Sequence, residues 1–166
     1  DWSSDGVLFR SGGTAGVSPH APYSVGGRLG RLALAEAVRR RLPVAMHLAE
    51  SREELELLAT HGGGLRPVLE RLGAWGPRTP RFLDIADWIT LLSRTRRAAV
   101  VHGTFLPDVP GAMARLARHR DRLCVVVCPR TTRVLSGGHP PVEAFRAAGV
   151  RVAIGTDSRA SSPDLS

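Results

Sequence analysis

The chain has 166 residues, 43% of them hydrophobic, and a formal net charge of +8. This length fits one domain or part of one, and no run approaches the ~20 apolar residues of a membrane span. All 23 basic residues are arginine, scattered along predicted helical faces, and aromatic residues make up only 5% of the chain. A nucleic-acid interface favours basic residues clustered on one face among aromatics, so we expect neither a nucleic-acid partner nor a membrane partner.

The first third of the chain predicts a loop, a turn, a helix, a strand and a second helix. Residues 1–16 are rich in Gly and Ser and predict a loop, and the PHAPYS segment at 19–24 predicts a strand end followed by a turn. Apolar spacing predicts a helix over residues 30–41. The apolar run Val44–Leu48 predicts a strand, and the S-R-E-E sequence from Ser51 is a capping box that begins the next helix.

The rest of the chain alternates helical patterns with apolar runs. Residues 61–82 are rich in Gly and Pro and predict a loop insertion around a short helix. Later helices are predicted near residues 84–94, after a cap at Asp108, and after Pro140–Pro141. Strands are predicted to begin near residues 44, 98, 123 and 150. Strands that alternate with helices predict an α/β fold with a parallel sheet.

Polar residues suited to metal binding or proton transfer lie where three of these strands end. His47 and Glu50 close the first such segment, His102 closes the second, and Asp157 follows the last. Taken singly, each has an ordinary explanation: His47 as a hydrogen-bonded core residue, Glu50 and Asp157 as helix N-terminal charges. Because the carboxyl ends of parallel strands meet at one edge, the four together predict a single site for hydrolysis on a divalent metal.

Five segments resemble the amidohydrolase superfamily of metal-dependent hydrolases: GVSPHAPYSV, MHLAES, VVHG, CPR and IGTDSRAS. The nearest branch holds guanine, adenosylhomocysteine and aminofutalosine deaminases and triazine chlorohydrolases. This resemblance runs from about residue 16 to residue 166 and implies a (β/α)8 barrel of the TIM type. A complete barrel needs roughly 250 residues. We therefore expect residues 1–166 to be the C-terminal-side portion of the barrel, about strands 4 to 8, within a longer protein.

The resemblance also implies a metal centre and the roles of the residues around it. One divalent metal, Zn²⁺ by default and Fe²⁺ as the alternative, would be held by His47 and Asp157. Glu50 would donate a proton to the ring nitrogen or the departing amine. His102 would orient the attacking hydroxide or bind substrate, and Asp157 would accept the proton of that hydroxide.

Two further positions, His20 and Ser161, resemble family residues that contact substrate. The implied reaction is hydrolysis of a C–N bond other than a peptide bond, with deamination of a purine-like or other N-heterocyclic amine favoured. Amide or chloride hydrolysis at the same site, and a catalytically silent barrel scaffold, stay open as alternatives. The expected partner is a small-molecule substrate, and assembly into a homo-oligomer stays open.

The chain departs from the family pattern because it contains no H-x-H, which supplies two further metal ligands. We therefore expect this segment alone to bind metal weakly and to be inactive. Arg130, Thr131 and Thr132 match no family residue and receive no role. Cys124 and Cys128 lack the second pair of a zinc site and predict two buried free thiols in a reducing cytoplasm.

Overall fold

In the computed structural model, the described residues are 15–76, 79 and 82–161. Four strands form one parallel sheet in the order β1-β2-β3-β4. They are β1 (Val44–Leu48), β2 (Ala98–His102), β3 (Leu123–Val127) and β4 (Arg151–Ile154). Beside β1, Val17 makes an isolated parallel bridge with Val44. The predicted α/β fold with a parallel sheet is confirmed, and the four strand starts match the prediction to within one residue.

Helices connect the strands throughout the described part of the chain. They are α1 (Pro22–Arg39), α2 (Arg52–Thr60), α3 (Leu65–Arg71), α4 (Ile85–Leu92), α5 (Ala112–Arg118), α6 (Pro129–Ser136) and α7 (Val142–Ala147). A short 3₁₀ turn covers Leu106–Asp108. None of these helices is long and apolar enough to cross a membrane. The predicted loop over residues 1–16 lies outside the described residues except for its last two positions.

Two predictions about helix starts are wrong. The turn expected over 19–24 ends at Ala21, because Pro22 begins α1, and a break at Gly26 (φ 66°, ψ 157°) interrupts that helix near its start. Proline suits the first helical position because its φ is fixed near the helical value. Asp108 does not cap α5; Gly111 does so with a φ of 75°.

Other details of the chain complete the comparison with the predictions. Asp108 lies in the 3₁₀ turn, where its carboxylate pairs with Arg52 at 3.0 Å. The short helix predicted within the loop insertion over residues 61–82 is present as α3. The TTRVLS sequence, which received no prediction, is the body of α6, and it follows the helix-opening Pro129. Cys128 is buried as expected, whereas Cys124 is only half-buried, and both thiols are free.

The hydrophobic core lies on one face of the sheet. Along β1, β2 and β3, every second residue is buried and the residues between are half-buried. The buried side chains pack with Trp88 of α4, Leu116 of α5 and Phe145 of α7, all fully buried. The other face carries His47, and the carboxyl ends of the strands meet along one edge. That edge is where the predicted site residues lie.

Candidate metal centre

Three turns at this edge pass through residues with a left-handed backbone. Ala49 after β1 has a φ of 53°, His102 at the end of β2 has 68°, and Asp157 after β4 has 59°. Residues other than glycine rarely adopt this conformation, which costs about 1–3 kcal/mol each and is concentrated at functional sites. The sequence indicates that the chain turns after Leu48 and at Gly103, but not that Ala49, His102 and Asp157 adopt this conformation. They redirect side chains that strand alternation alone would point elsewhere.

His47, His102 and Asp157 converge at this edge. Each offers one potential ligand atom, and these atoms lie within 4.8 Å of one another. The two imidazole rings are 5.2 Å apart between centroids and inclined by 31°. Imidazole nitrogen and carboxylate oxygen are donors that Zn²⁺ accepts in proteins. The structure thus brings together the two predicted ligands, His47 and Asp157, and adds the His102 ring to them.

The orientation of His47 is set by the backbone of His20. The carbonyl oxygen of His20 lies 3.0 Å from Nδ1 of His47 and also accepts the backbone N–H of His47 at 2.9 Å. A carbonyl only accepts, so Nδ1 carries the proton and Nε2 keeps its lone pair for a metal. The His20 ring is 5.2 Å from the His47 ring, and its Nδ1 bonds the Ser24 hydroxyl at 2.7 Å. The His20 ring therefore lies beside the predicted ligand His47.

His102 is buried and neutral. Its side chain is 1% exposed, and neither ring nitrogen has a hydrogen-bond partner among the described residues. Burial, and then the electrostatic effect of His47, lowers the pKa of His102 to about 4, against the opposing effect of Asp157. Its Nε2 lies 3.4 Å from Oε1 of Glu50, a close contact rather than an ion pair because the ring is uncharged. A buried nitrogen without a partner calls for one, and a water or metal at this edge would supply it.

Glu50 retains a proton more readily than an exposed glutamate. Burial raises its pKa, and the negative charge of Asp157 raises it further, against the opposing effect of His47. Its position follows from the left-handed turn at Ala49, which brings Glu50 back towards the edge that His47 occupies. Both features suit a group that donates a proton near neutral pH.

Asp157 is held by two hydroxyl groups. Thr131 and Ser161 donate to the same oxygen, Oδ2, at 2.8 and 2.9 Å, and their own hydroxyl oxygens lie 2.8 Å apart. Burial raises the pKa of Asp157, but these hydrogen bonds and the two nearby histidines outweigh it and hold the pKa below its usual value. The carboxylate is therefore ionised. Thr131, which is 1% exposed, had no role in the sequence analysis because it matches no family residue, and its hydrogen bond to Asp157 depends on the fold.

The likeness to known proteins agrees with this geometry. A model of the amidohydrolase family matches residues 5–165. This chain belongs to the amidohydrolase family. The resemblance read from the sequence motifs is thereby confirmed.

This amidohydrolase is similar to the aminodeoxyfutalosine deaminase of Deinococcus radiodurans. The two are 37% identical over 168 residues, which cover 95% of this chain and 39% of the relative. The chain therefore spans about two fifths of the length of that curated relative.

Solved structures of two deaminases resemble the fold. Helicobacter pylori aminofutalosine deaminase in complex with methylthio-coformycin has a TM-score of 0.76 and 27% identity, covering 88% of this chain and 35% of its own. An adenosine deaminase from Xanthomonas campestris with bound zinc has a TM-score of 0.62 and 28% identity, covering 90% of this chain and 29% of its own. The parallel α/β arrangement of this amidohydrolase is thus shared with both.

Proposed function

We propose that this amidohydrolase contributes the active-site edge of an enzyme that removes an amino group from a purine-like amine by metal-dependent hydrolysis. The convergence of His47, His102 and Asp157 within 4.8 Å carries the proposal. The carboxyl group of Glu50, 3.4 Å from His102, adds the proton donor that deamination requires. The deaminase names of the relatives support the same reaction.

The donor set fits a divalent metal. His47 presents Nε2 because Nδ1 is committed to the His20 carbonyl, and Asp157 is ionised with Oδ2 held by two hydroxyl groups. These two residues would hold the metal, with Zn²⁺ as the first choice and Fe²⁺ as the alternative. A metal bound there supplies Lewis acidity, which lowers the pKa of a coordinated water from 15.7 to about 7. We expect an H-x-H pair elsewhere in the natural protein to complete the ligand set.

The protein groups divide the proton transfers of deamination between them. His102 is neutral, so its ring can orient the attacking water, and the ionised Asp157 accepts a proton from that water. Glu50, whose pKa is raised, donates a proton to the ring nitrogen of the substrate or to the departing amine. One C–O bond forms at an sp² carbon. As the C–N bond breaks, the proton on Asp157 passes to the departing amine, which leaves as ammonia, and the remaining hydroxyl proton restores Glu50 as the carbonyl forms.

The fold around this site is proposed to be about strands 4 to 8 of a (β/α)8 barrel. Val17 forms a parallel bridge beside β1, at the margin of the sheet where strand 4 of the complete barrel would lie. At the other margin, β4 pairs only with β3 among the described residues, and Ile154 is 80% exposed. A sheet that continues beyond both margins would cover these groups.

The proposed partner is a small-molecule substrate, contacted by His20 and Ser161. We infer no nucleic-acid or membrane partner, since the positive charge comes from arginines that are not interleaved with aromatic residues. The two free thiols support a reducing cytoplasm.

The test is an ammonia-release assay on the natural gene product that contains this chain, loaded with Zn²⁺. Adenosine and related 6-aminopurine nucleosides should release ammonia, and His47→Asn should abolish the release. Amide substrates and chlorinated triazines serve as competitors for the same site. Release of chloride or carboxylate in place of ammonia, or no turnover of any substrate by the zinc-loaded protein, would contradict the deaminase assignment.

A further inference from the structure

One carboxylate in the described part of the chain is buried without a cation beside it. Glu54 lies in the first turn of α2 and is 1% exposed. None of the ion pairs among the described residues includes it. A buried carboxylate is costly unless it is paired or hydrogen-bonded. The hydrogen-bond partners of the two carboxylate oxygens therefore account for the burial of Glu54.

Both oxygens of Glu54 hold the backbone that joins β1 to α2. Oε1 accepts the N–H of Ala49 at 3.2 Å, and Oε2 accepts the N–H of Glu50 at 2.9 Å. In an ordinary capping box, the carboxylate at this helix position accepts the N–H of the cap residue, here Ser51. Glu54 instead accepts the N–H groups of the two residues before the cap, Glu50 and Ala49. These two N–H groups flank the left-handed backbone of Ala49.

We propose that Glu54 is a positioning residue that fixes the direction of the Glu50 carboxyl group. The inference rests on the proposed function, in which Glu50 donates the proton. Glu54 binds the N–H of Glu50 itself, so any shift of that peptide moves the Glu50 oxygen that lies 3.4 Å from Nε2 of His102. A misplacement of 1 Å in a reacting group costs as much as about 10²-fold in rate.

Capping of α2 is a separate task, which Ser51 performs. The Ser51 hydroxyl oxygen accepts the backbone N–H of Glu54 at 3.2 Å and so satisfies one donor of the first helical turn. The N–H groups of Ala49 and Glu50 precede that cap. The side-chain bonds of Glu54 therefore stabilise the strand-to-helix turn rather than the helix.

A neutral side chain of the same shape will be accepted at this position. Burial raises the pKa of Glu54 to about 7, although the N–H groups of Glu50 and Ala49 act in the opposite direction. The uncharged form is thus already populated near neutral pH. Glu54→Gln keeps one acceptor for the two N–H groups and places an amide donor against the other, which loosens the turn without emptying the space.

The experiment compares three variants of the zinc-loaded natural gene product with adenosine as substrate. Glu54→Gln removes one of the two acceptors, Glu53→Gln is the matched control at an exposed position of the same turn, and Ser51→Ala removes the helix cap. Steady-state kinetics give kcat and KM, and hydrogen exchange reports the amides of Ala49 and Glu50. Circular dichroism gives the folded fraction of each variant.

We expect Glu54→Gln to lower kcat by about 10–100-fold, as loss of a positioning group typically does, with KM nearly unchanged. The amides of Ala49 and Glu50 should exchange faster in this variant and normally in Glu53→Gln. Ser51→Ala should keep kcat per folded molecule. A folded Glu54→Gln with unchanged kcat and exchange, or an equal loss of kcat in Ser51→Ala, overturns the positioning role. If the unmodified protein leaves adenosine intact, the proposed function fails, and the exchange of the two amides alone decides whether Glu54 holds the turn.

Discussion

The rings of His47 and His102 lie 5.2 Å apart on adjacent strands, although strand alternation assigns them to opposite faces of the sheet. His47 is opposite Val101 in the β1–β2 register, and both are half-buried on the face away from the core. In the alternation along β2, His102 occupies the same face as Ala98 and Val100, which point into the core. A φ of 68° at His102 turns its side chain back to the His47 face. The site is built by a departure from strand geometry at the last residue of β2.

This relationship predicts different outcomes for two replacements of His102. Asparagine tolerates a left-handed backbone, so His102→Asn should fold and keep its metal while kcat falls by about 10²–10⁴-fold. His102→Val should lose the same activity and also unfold more easily, by about 1–3 kcal/mol, because a β-branched residue is strained at that φ. Metal analysis, kinetics and urea unfolding of both variants check this. Loss of metal from a folded His102→Asn would instead make His102 a ligand.

The Thr131 hydroxyl is predicted to support metal binding through Asp157. Thr131→Val removes a 2.8 Å hydrogen bond to Oδ2 of Asp157 with little change in volume, so metal affinity should fall by about 10–100-fold. The matched control is Thr132→Val, since the hydroxyl of buried Thr132 bonds Thr104 at 3.3 Å and not Asp157. Competition with a fluorescent zinc chelator measures both affinities. Equal affinities in the two variants would remove Thr131 from the centre.

The raised pKa of Glu54 predicts a specific pH dependence of the free energy of unfolding. Its pKa is raised by burial to about 7, so the folded state binds a proton that the unfolded state releases from about pH 4.5 upwards. The stabilisation is therefore fully present at lower pH and is lost as pH rises through about 7. The two titratable side chains that face it, Glu50 and Tyr23, also have raised pKa values.

The pH effect is isolated by comparison with Glu54→Gln, which cannot titrate. The difference in free energy of unfolding between the unmodified protein and this variant should shift by on the order of 3 kcal/mol between about pH 4 and pH 8. The unmodified protein becomes the less stable of the two, relative to pH 4, as the pH rises. Urea titrations at intervals of pH provide the measurement. A difference that stays constant with pH would show that Glu54 has an ordinary pKa.

Packing between α1 and α4 depends on a glycine. A Cβ added to Gly30 would lie 2.0 Å from Cη2 of Trp88, whose side chain is fully buried. Gly30→Ala gains about 1 kcal/mol of helix propensity, but the overlap should cost about 1–3 kcal/mol or more, so the net effect is loss of stability. Gly76→Ala is the control, because its Cβ meets nothing within 4 Å. Thermal melts in which Gly30→Ala is the more stable variant would contradict the packing.

Much of the fold was predictable because it follows from local patterns. The apolar runs of β1 and β3 lack the spacing of apolar residues that is typical of a helix. The S-R-E-E capping box indicates where α2 begins. The start of α1 was missed because a proline-led turn and a helix share the same sequence signal until Gly26 breaks the helix. Asp108 was misassigned because Gly111 can begin a helix without a side-chain cap.

The site was predictable only as a set of residue types at strand ends. Which of them converge depends on left-handed turns at His102 and Asp157; His and Asp adopt this conformation more often than most residues, but residue type alone does not predict it. The supporting groups were harder still, because Thr131 and Glu54 act through hydrogen bonds to partners that folding brings together. Glu54 was visible as part of a capping box, but its bonds to the residues before the cap depend on the turn itself.

The measurement that tests the central claim most directly is ammonia release from adenosine by the natural gene product during removal and return of metal. Bound zinc and iron are quantified in the same samples before chelation, after dialysis and after addition of Zn²⁺. The account predicts that ammonia release falls in proportion to bound metal, returns with Zn²⁺, and never returns in His47→Asn. Undiminished release from metal-free protein, or full activity in that variant, would contradict it.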